Sequence, residues 1–302
     1  LTPDFDRTPP ARGGVLLSIA PRIRRIIANN PSAFTFSGTC TYVVGRGTVS
    51  VIDPGPDDTT HIDTLLDSLR GEVVTHILVT HTHRDHSPGA RLLAERTGAP
   101  IIGCAPHRAS REAHIGESQR LEASSDVDHA PERVLVDGDI LEAGDHRFRA
   151  IETPGHTANH LMFELEGTGM VFSGDHVMAW STTIVAPPDG AMGAYMESLD
   201  KLTRREGDLA YWPGHGGPVT DPRRFTRALL QHRRQREAQI LDKLALGPAI
   251  IPEIVAANYP GLDHRLVGAA CLSVFAHLEE LIARGAVSAE PPVTLSSVFA
   301  RA

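Results

Sequence analysis

The 302 residues suffice for one large α/β domain plus a small one, and for a substantial buried core. A hydrophobic content of 41% and a net charge of −8 are ordinary for a soluble globular chain, and give no global reason to expect nucleic acid or an anionic membrane as partner. No run approaches the length of a membrane-spanning helix, and the N-terminus lacks the charged-then-apolar pattern of a signal peptide. The chain opens at Leu1 rather than Met, which leaves room for a short leader trimmed ahead of it. Cys40, Cys104 and Cys271 are far apart and form no ligand-like pair, so they read as reduced, mostly buried thiols of a cytoplasmic protein.

Residues 1–14, rich in Pro, Gly and Arg, are expected to form an irregular arm. Strands are predicted at 22–28, 39–44 and 48–52, the last two joined by the Gly45-Arg46-Gly47 turn. Residues 61–69 carry helical spacing in Ile62, Leu65, Leu66 and Leu69. A short buried strand at 77–79 runs into a His-rich loop; a helix at 90–96 and a strand at 101–103 follow. The pattern repeats with strands at 148–152, 161–165 and 170–172, a helix at 195–205 and a strand at 209–212. Strands that end in polar, Gly-bearing loops with helices between them predict a layered α/β domain, residues 1–220, with its site at one sheet edge. Beyond it, 221–302 reads as a small winged-helix-like domain: helices at 223–246, 250–258 and 264–284, a Pro291-Pro292 break, and an extended stretch at 293–298.

Four segments carry the chemistry: His81-Thr82-His83-Arg84-Asp85-His86, Thr153-Pro154-Gly155-His156, Ser173-Gly174-Asp175 and Pro213-Gly214-His215-Gly216. Most of the 16 histidines of the chain need be no more than surface or core side chains. These segments differ because they supply five His and two Asp, enough for a nearly complete two-metal site, and the later ones sit beside Gly. In an extended loop, positions 81 and 83 project to the same side, so two imidazoles can clasp one ion. Zinc is the default ion for such a donor set, with iron or manganese as alternatives.

With these four motifs in this order, residues 20–220 resemble the metallo-β-lactamase-fold hydrolases. The resemblance implies an αββα sandwich, a four-layer α/β fold, and two Zn2+ per chain. It places His81, His83 and His156 on the first ion, Asp85, His86 and His215 on the second, and Asp175 between the two. The activity it implies is hydrolysis of an ester-like or phosphodiester bond by a hydroxide bridging the ions, with Asp85 and Asp175 as the catalytic carboxylates and Asp85 orienting or relaying the proton. Asp53 resembles the family's acidic residue beneath the His-rich loop, and equally suits a cap on a turn before Pro54-Gly55. His160 and His176 lie close to the expected ligands and are expected to be structural, with proton donation to the leaving group as the rival role.

Substrate choice is less legible, because a dinuclear site attacks many bonds. Trp180-Ser181-Thr182-Thr183 is expected on a loop near the site, either packed there or in contact with substrate. Residues 222–239 carry arginines 223, 224, 227, 233, 234 and 236 against the single acid Glu237, either a solvated face or a phosphate-binding patch. The tail, and Tyr195-Met196 with Ser198-Leu199, resemble the beta-lactamase-like protein 2 group, which implies single-stranded RNA as one candidate substrate. A small-molecule ester or a glyoxalase II-like thioester is another. The two-zinc antibiotic lactamases usually carry Cys where Asp175 stands, which disfavours a penicillin-degrading role. An iron sulfur dioxygenase of the same fold, or a nucleic-acid-binding scaffold with a relic site, are the rivals from other classes. The sequence leaves the oligomeric state open.

Overall fold

The computed structural model describes residues 2–10, 13–114, 117 and 124–302; of the arm expected at 1–14, residues 1, 11 and 12 lie outside that range. Two sheets stack face to face. The first runs in chain order through β1 (Leu17–Ala20), β2 (Ile23–Ile27), β3 (Cys40–Arg46), β4 (Thr48–Ile52), β5 (Val73–Val79), β6 (Ile101–Gly103) and β7 (Arg133–Val134). The second comprises β8 (Ile140–Ala143), β9 (His146–Glu152), β10 (Leu161–Leu165), β11 (Met170–Gly174) and β12 (Ala210–Pro213), in the order β12-β11-β10-β9-β8. The pairs β4–β5 and β11–β12 are parallel. Their C-terminal ends therefore open onto one edge, where the His-rich loop, Asp175 and His215 follow.

The period-two alternation of the second sheet decides its two faces. Phe148, Ala150, Leu161, Phe163, Phe172 and Trp212 point to the core between the sheets. Their neighbours Ile151, Met162, Val171 and Tyr211 point the other way, onto α3 (Met192–Thr203) and α4 (Pro222–Ala245) through Tyr195, Leu199, Leu229 and Leu230. On the far side, α1 (Thr59–Ser68) and α2 (Gly89–Thr97) add Ile62, Leu65, Ala90 and Leu93 to the first core. The fold is thus the expected four-layer αββα sandwich. Local chemistry sets the helix ends: the Asp58 carboxylate accepts from Thr60 N–H and His61 N–H, and Gly98 closes α2 at φ 71°.

The C-terminal region has its own core. It is built from α5 (Ile251–Asn258), α6 (Val267–Ala283) and a sheet of β13 (Ala249–Ile250), β15 (Val298–Arg301) and β14 (Val287–Ala289), which is a winged-helix arrangement. The long helix α4 serves both regions, with Leu229 and Leu230 in the second core and Ile240 and Leu244 in the third. The N-terminal arm is docked rather than free, with the Phe5 ring edge-on to Phe225 at 6.0 Å and the Asp6 N–H donating to Ala179 O at 3.0 Å.

Two expectations need correction. The extended stretch at 293–298 is a turn followed by a strand, because the Ser297 hydroxyl accepts from Thr294 N–H and the Thr294 carbonyl from Ser297 N–H. Residues His264–Ala283 are also long and apolar enough, by length and composition alone, to pass as a spanning segment. Here Val274, Phe275, Leu278 and Leu281 of that stretch close the third core instead. Phe299 is fully buried against Phe275, with ring centroids 6.5 Å apart. Phe299→Ala is therefore expected to cost about 3–5 kcal/mol of stability in the unfolding transition that includes this core, measured by urea denaturation.

Candidate metal centre

All seven residues expected at the site converge at the shared edge. The free nitrogens of His81, His83 and His156 lie within 4.8 Å of one another, and so do the donor atoms of Asp85, His86 and His215. In the first set His81 Nε2 faces His83 Nδ1 at 3.2 Å. In the second, His215 Nε2 lies 3.1 Å from Asp85 Oδ2 and 3.3 Å from His86 Nε2. Asp175 reaches both, with Oδ2 at 3.7 Å from His156 Nε2 and 3.2 Å from His215 Nε2, and Oδ1 at 3.5 Å from His86 Nε2. The buried Asp175 Oδ1 and His156 Nε2 have no hydrogen-bond partner among the described residues. Donors left unsatisfied in this way suit cations of the zinc type.

The outer nitrogen of every ring is committed elsewhere. His81 Nδ1 donates to Thr80 Oγ1 at 2.9 Å, and that hydroxyl passes its own proton to Asp53 Oδ2 at 2.7 Å. His86 Nδ1 donates to Asp53 Oδ2 at 3.1 Å, His83 Nε2 to Asp189 Oδ2 at 3.1 Å, His156 Nδ1 to Ile184 O at 2.7 Å and His215 Nδ1 to Gly38 O at 3.3 Å. Each bond selects the tautomer whose lone pair points inward, as metal-ligating histidines require.

Asp53 is therefore more than a turn cap. It sits at φ 48° after β4, and its other oxygen accepts the Thr80 N–H at 2.8 Å. The loop around it packs too closely for side chains. A Cβ on Gly214 would collide with Asp175 Oδ1 and the His86 ring, and one on Gly155 (φ 135°) with the Tyr195 backbone.

Charge inside the site is strongly biased. Burial alone would raise the Asp85 and Asp175 carboxyls, but His86 and His215 outweigh it and hold both well below the usual range. Burial likewise pulls His215 down, yet Asp175 and Asp85 push it up to about 10. His86 is raised for the same reason. His81 lies well below its usual value and His156 falls to about 4, chiefly through burial.

His160 is structural: its Nδ1 pairs with Thr153 Oγ1 at 2.9 Å, and its Nε2 accepts the Asp175 N–H at 3.2 Å. His176 is buried against the Tyr195 ring at 4.6 Å, and burial takes it down to about 3. The Trp180 ring stacks on Phe36 at 4.9 Å and is packed, not in contact with the cleft. Of the six arginines at 222–239, Arg233 is buried and Arg236 lies over the Tyr259 ring, so the basic patch is smaller than its sequence.

Sequence reasoning missed Asp189, Thr80 and the carbonyls of Gly38 and Ile184. The only signal for Asp189 is a Pro187-Pro188-Asp189-Gly190 stretch with the look of a rigid turn. It also missed the cleft of about 680 Å3 above the site, walled by Phe34, Met178, Ile184 and Pro187 and, from α6, by Ala269 and Leu272.

A layered α/β fold with a buried two-part His/Asp centre at its sheet edge defines a hydrolase-type, metal-dependent enzyme. Residues 33–215 match the metallo-beta-lactamase superfamily and 251–291 the beta-lactamase associated winged helix domain. The chain belongs to the metallo-beta-lactamase superfamily. It is 31% identical over 234 residues to the atrochrysone carboxyl ACP thioesterase of Passalora fulva, covering 75% of this chain and 63% of that protein. It is 28% identical over 273 residues to the beta-lactamase-like protein 2 homolog of Drosophila melanogaster, covering 86% of this chain and 88% of that one. The fold also superposes on a metallo-beta-lactamase family protein from Thermus thermophilus with a TM-score of 0.76 at 24% identity, covering 94% of this chain and all (100%) of the other.

Because His215 titrates at about 10, it holds a proton at neutral pH in the metal-free chain, and a cation must displace that proton to reach Nε2. Zinc uptake at pH 7 is expected to release protons, and affinity at the second set to rise with pH toward 10. Calorimetry in buffers of different ionisation heat reads both, and an absence of proton release would contradict the assignment. Removing the orienting carboxylate in Asp189→Ala is expected to weaken zinc at the first set about 10–100-fold, measured by chelator competition.

Proposed function

We propose that the chain is a two-metal hydrolase of acyl thioester or related ester bonds, with two zinc ions as the default pair. His81, His83 and His156 would hold one ion, Asp85, His86 and His215 the other, and Asp175 both. When bound, such ions supply a nucleophile from water at neutral pH and polarise the attacked oxygen. The rest falls to the chain itself. Asp85, which accepts from the Thr39 hydroxyl at 3.1 Å and borders the cleft, orients the attacking water. Phe34, Met178, Ile184 and Leu272 bind the acyl group and exclude bulk water from it.

The observation that carries this reading is the apolar wall of the cleft directly over the donor set. An RNA track needs basic side chains along the backbone and stacking aromatics. Of the described cleft residues, only Arg84 and Arg265 are cationic apart from the ligand histidines, and Phe34 is the sole aromatic apart from them. The similarity to a thioesterase supports the same direction.

The test is a side-by-side assay of the zinc-loaded chain on an apolar acyl thioester, an acylglutathione, a lactam and single-stranded RNA, together with metal analysis. The expected result is thioester hydrolysis with two zinc ions per chain, reduced to background in Asp175→Ala. RNA cleavage that depends on Asp175, without thioester hydrolysis, would overturn the acyl reading. One iron per chain would overturn the dizinc one.

A further inference from the structure

Arg233 is a buried cation with no acid to answer it. It projects from α4 and is 3% exposed, and among the described residues no carboxylate lies within ion-pair distance of it. Burial first, with the charge of Arg233 adding to it, takes the nearby His232 down to about 4, so it brings no further charge beside the guanidinium. A desolvated charge in this position depends on its few polar contacts. They are the Thr183 carbonyl, to which Nη2 donates, and the face of the Tyr195 ring 5.1 Å away.

Both contacts lead to the metal centre. The Thr183 hydroxyl donates to Asp175 O at 2.6 Å and lies 3.0 Å from His176 O. The Tyr195 hydroxyl donates to the same His176 carbonyl at 3.1 Å. The next carbonyl along the chain, Ile184 O, accepts from His156 Nδ1. One peptide therefore joins a C-terminal helix to two of the seven donors. Its oxygen is held by a guanidinium, its side chain holds the Asp175 backbone, and its neighbour aims the His156 ring.

We propose that Arg233 is a positioning residue for the centre, acting through Thr183 and Ile184 to set His156 and Asp175. The proposal rests on the two-metal reading above. Losing the guanidinium leaves the Thr183 carbonyl without its charged donor and loosens the segment whose next carbonyl, Ile184 O, orients His156. The second set leans on this segment only through Asp175, since His86 and His215 are oriented by Asp53 and by Gly38 O.

The test uses the full chain, stripped of metal and titrated with zinc against a chromophoric chelator, and with cobalt followed by its visible spectrum. Arg233→Met is expected to weaken the ion held with His156 about 10–100-fold, to weaken the other, which shares only Asp175, by less, and to alter the cobalt spectrum chiefly at the first. Arg233→Lys, which keeps a charged donor, is expected to recover most of that loss, and Arg234→Met on the exposed face of the same helix to match the wild type. Where Arg233→Met does not fold, Arg233→Gln decides: it keeps an amide donor for the Thr183 carbonyl without the charge, and is expected to weaken the same ion by less. Wild-type affinities in the folded variant, or an equal loss at both ions, would overturn the proposal. A wild-type chain that binds two ions, one of them lost in His156→Ala, keeps the two-metal reading intact whatever Arg233 does. A wild-type chain that binds none overturns both.

Discussion

Five imidazoles can be packed around one buried point only if something outside the cluster holds each ring. Left alone, buried histidines turn a ring nitrogen toward whatever donor or acceptor is at hand, and the inward lone pairs are lost. In this chain every outer nitrogen is already committed, to Thr80 and Asp53, to Asp189, or to the carbonyls of Ile184 and Gly38. Asp53 matters most among these. Its one carboxylate answers the Thr80 N–H, the Thr80 hydroxyl and His86, and so ties β4, the end of β5 and the His-rich loop into one unit. The unusual φ of Asp53 is tolerable because Asp is among the few residues with a side chain that suits the left-handed region.

The same arrangement makes the donor set polarised before any cation arrives. Two carboxylates stay ionised because His86 and His215 face them, and those imidazoles stay protonated because the carboxylates are there. The metal-free site is thus a compact ion cluster in which protons stand in for cations. The protons that leave His86 and His215 would offset part of the charge that incoming divalent ions bring, which lowers the cost of assembling like charges in a buried space.

Chemistry and substrate contact come from different parts of the fold. The donors sit at strand ends and in tight loops, where backbone geometry is stiff. The walls come from other segments: the stretch around Phe34, the loop from Met178 to Asp189, and α6 of the C-terminal region. The tail is therefore part of the site in two ways, as a wall through Ala269 and Leu272 and as an anchor through Arg233. In the proposed hydrolase, a centre shared in this manner would tie catalysis to the docking of the two regions.

Much of this was legible in the residues themselves. Period-two runs such as Leu161–Leu165 and helical spacing around Ile62 and Leu65 are local properties, so β10 and α1 lie where their patterns place them. The seven residues that converge at the sheet edge were equally legible as candidates, since the His81-Thr82-His83-Arg84-Asp85-His86 run and three further His or Asp segments beside Gly suit a metal site. What surrounds them was not. Asp189 lies 106 residues from the His83 it orients, Thr39 lies 46 from Asp85, and Arg233 lies 50 from Thr183. Nothing local distinguishes such residues from a turn acid, a strand threonine or a helix arginine. The sequence by itself determined the donor set, the two-part layout and the layered fold, because these follow from periodicity and residue type. Only the tertiary structure decided which nitrogen of each ring faces inward, that Trp180 packs away from the cleft, and that the cleft is apolar. Those depend on which distant side chains and carbonyls the two stacked sheets bring within roughly 3 Å of one another, and hydrogen-bond geometry tolerates little more.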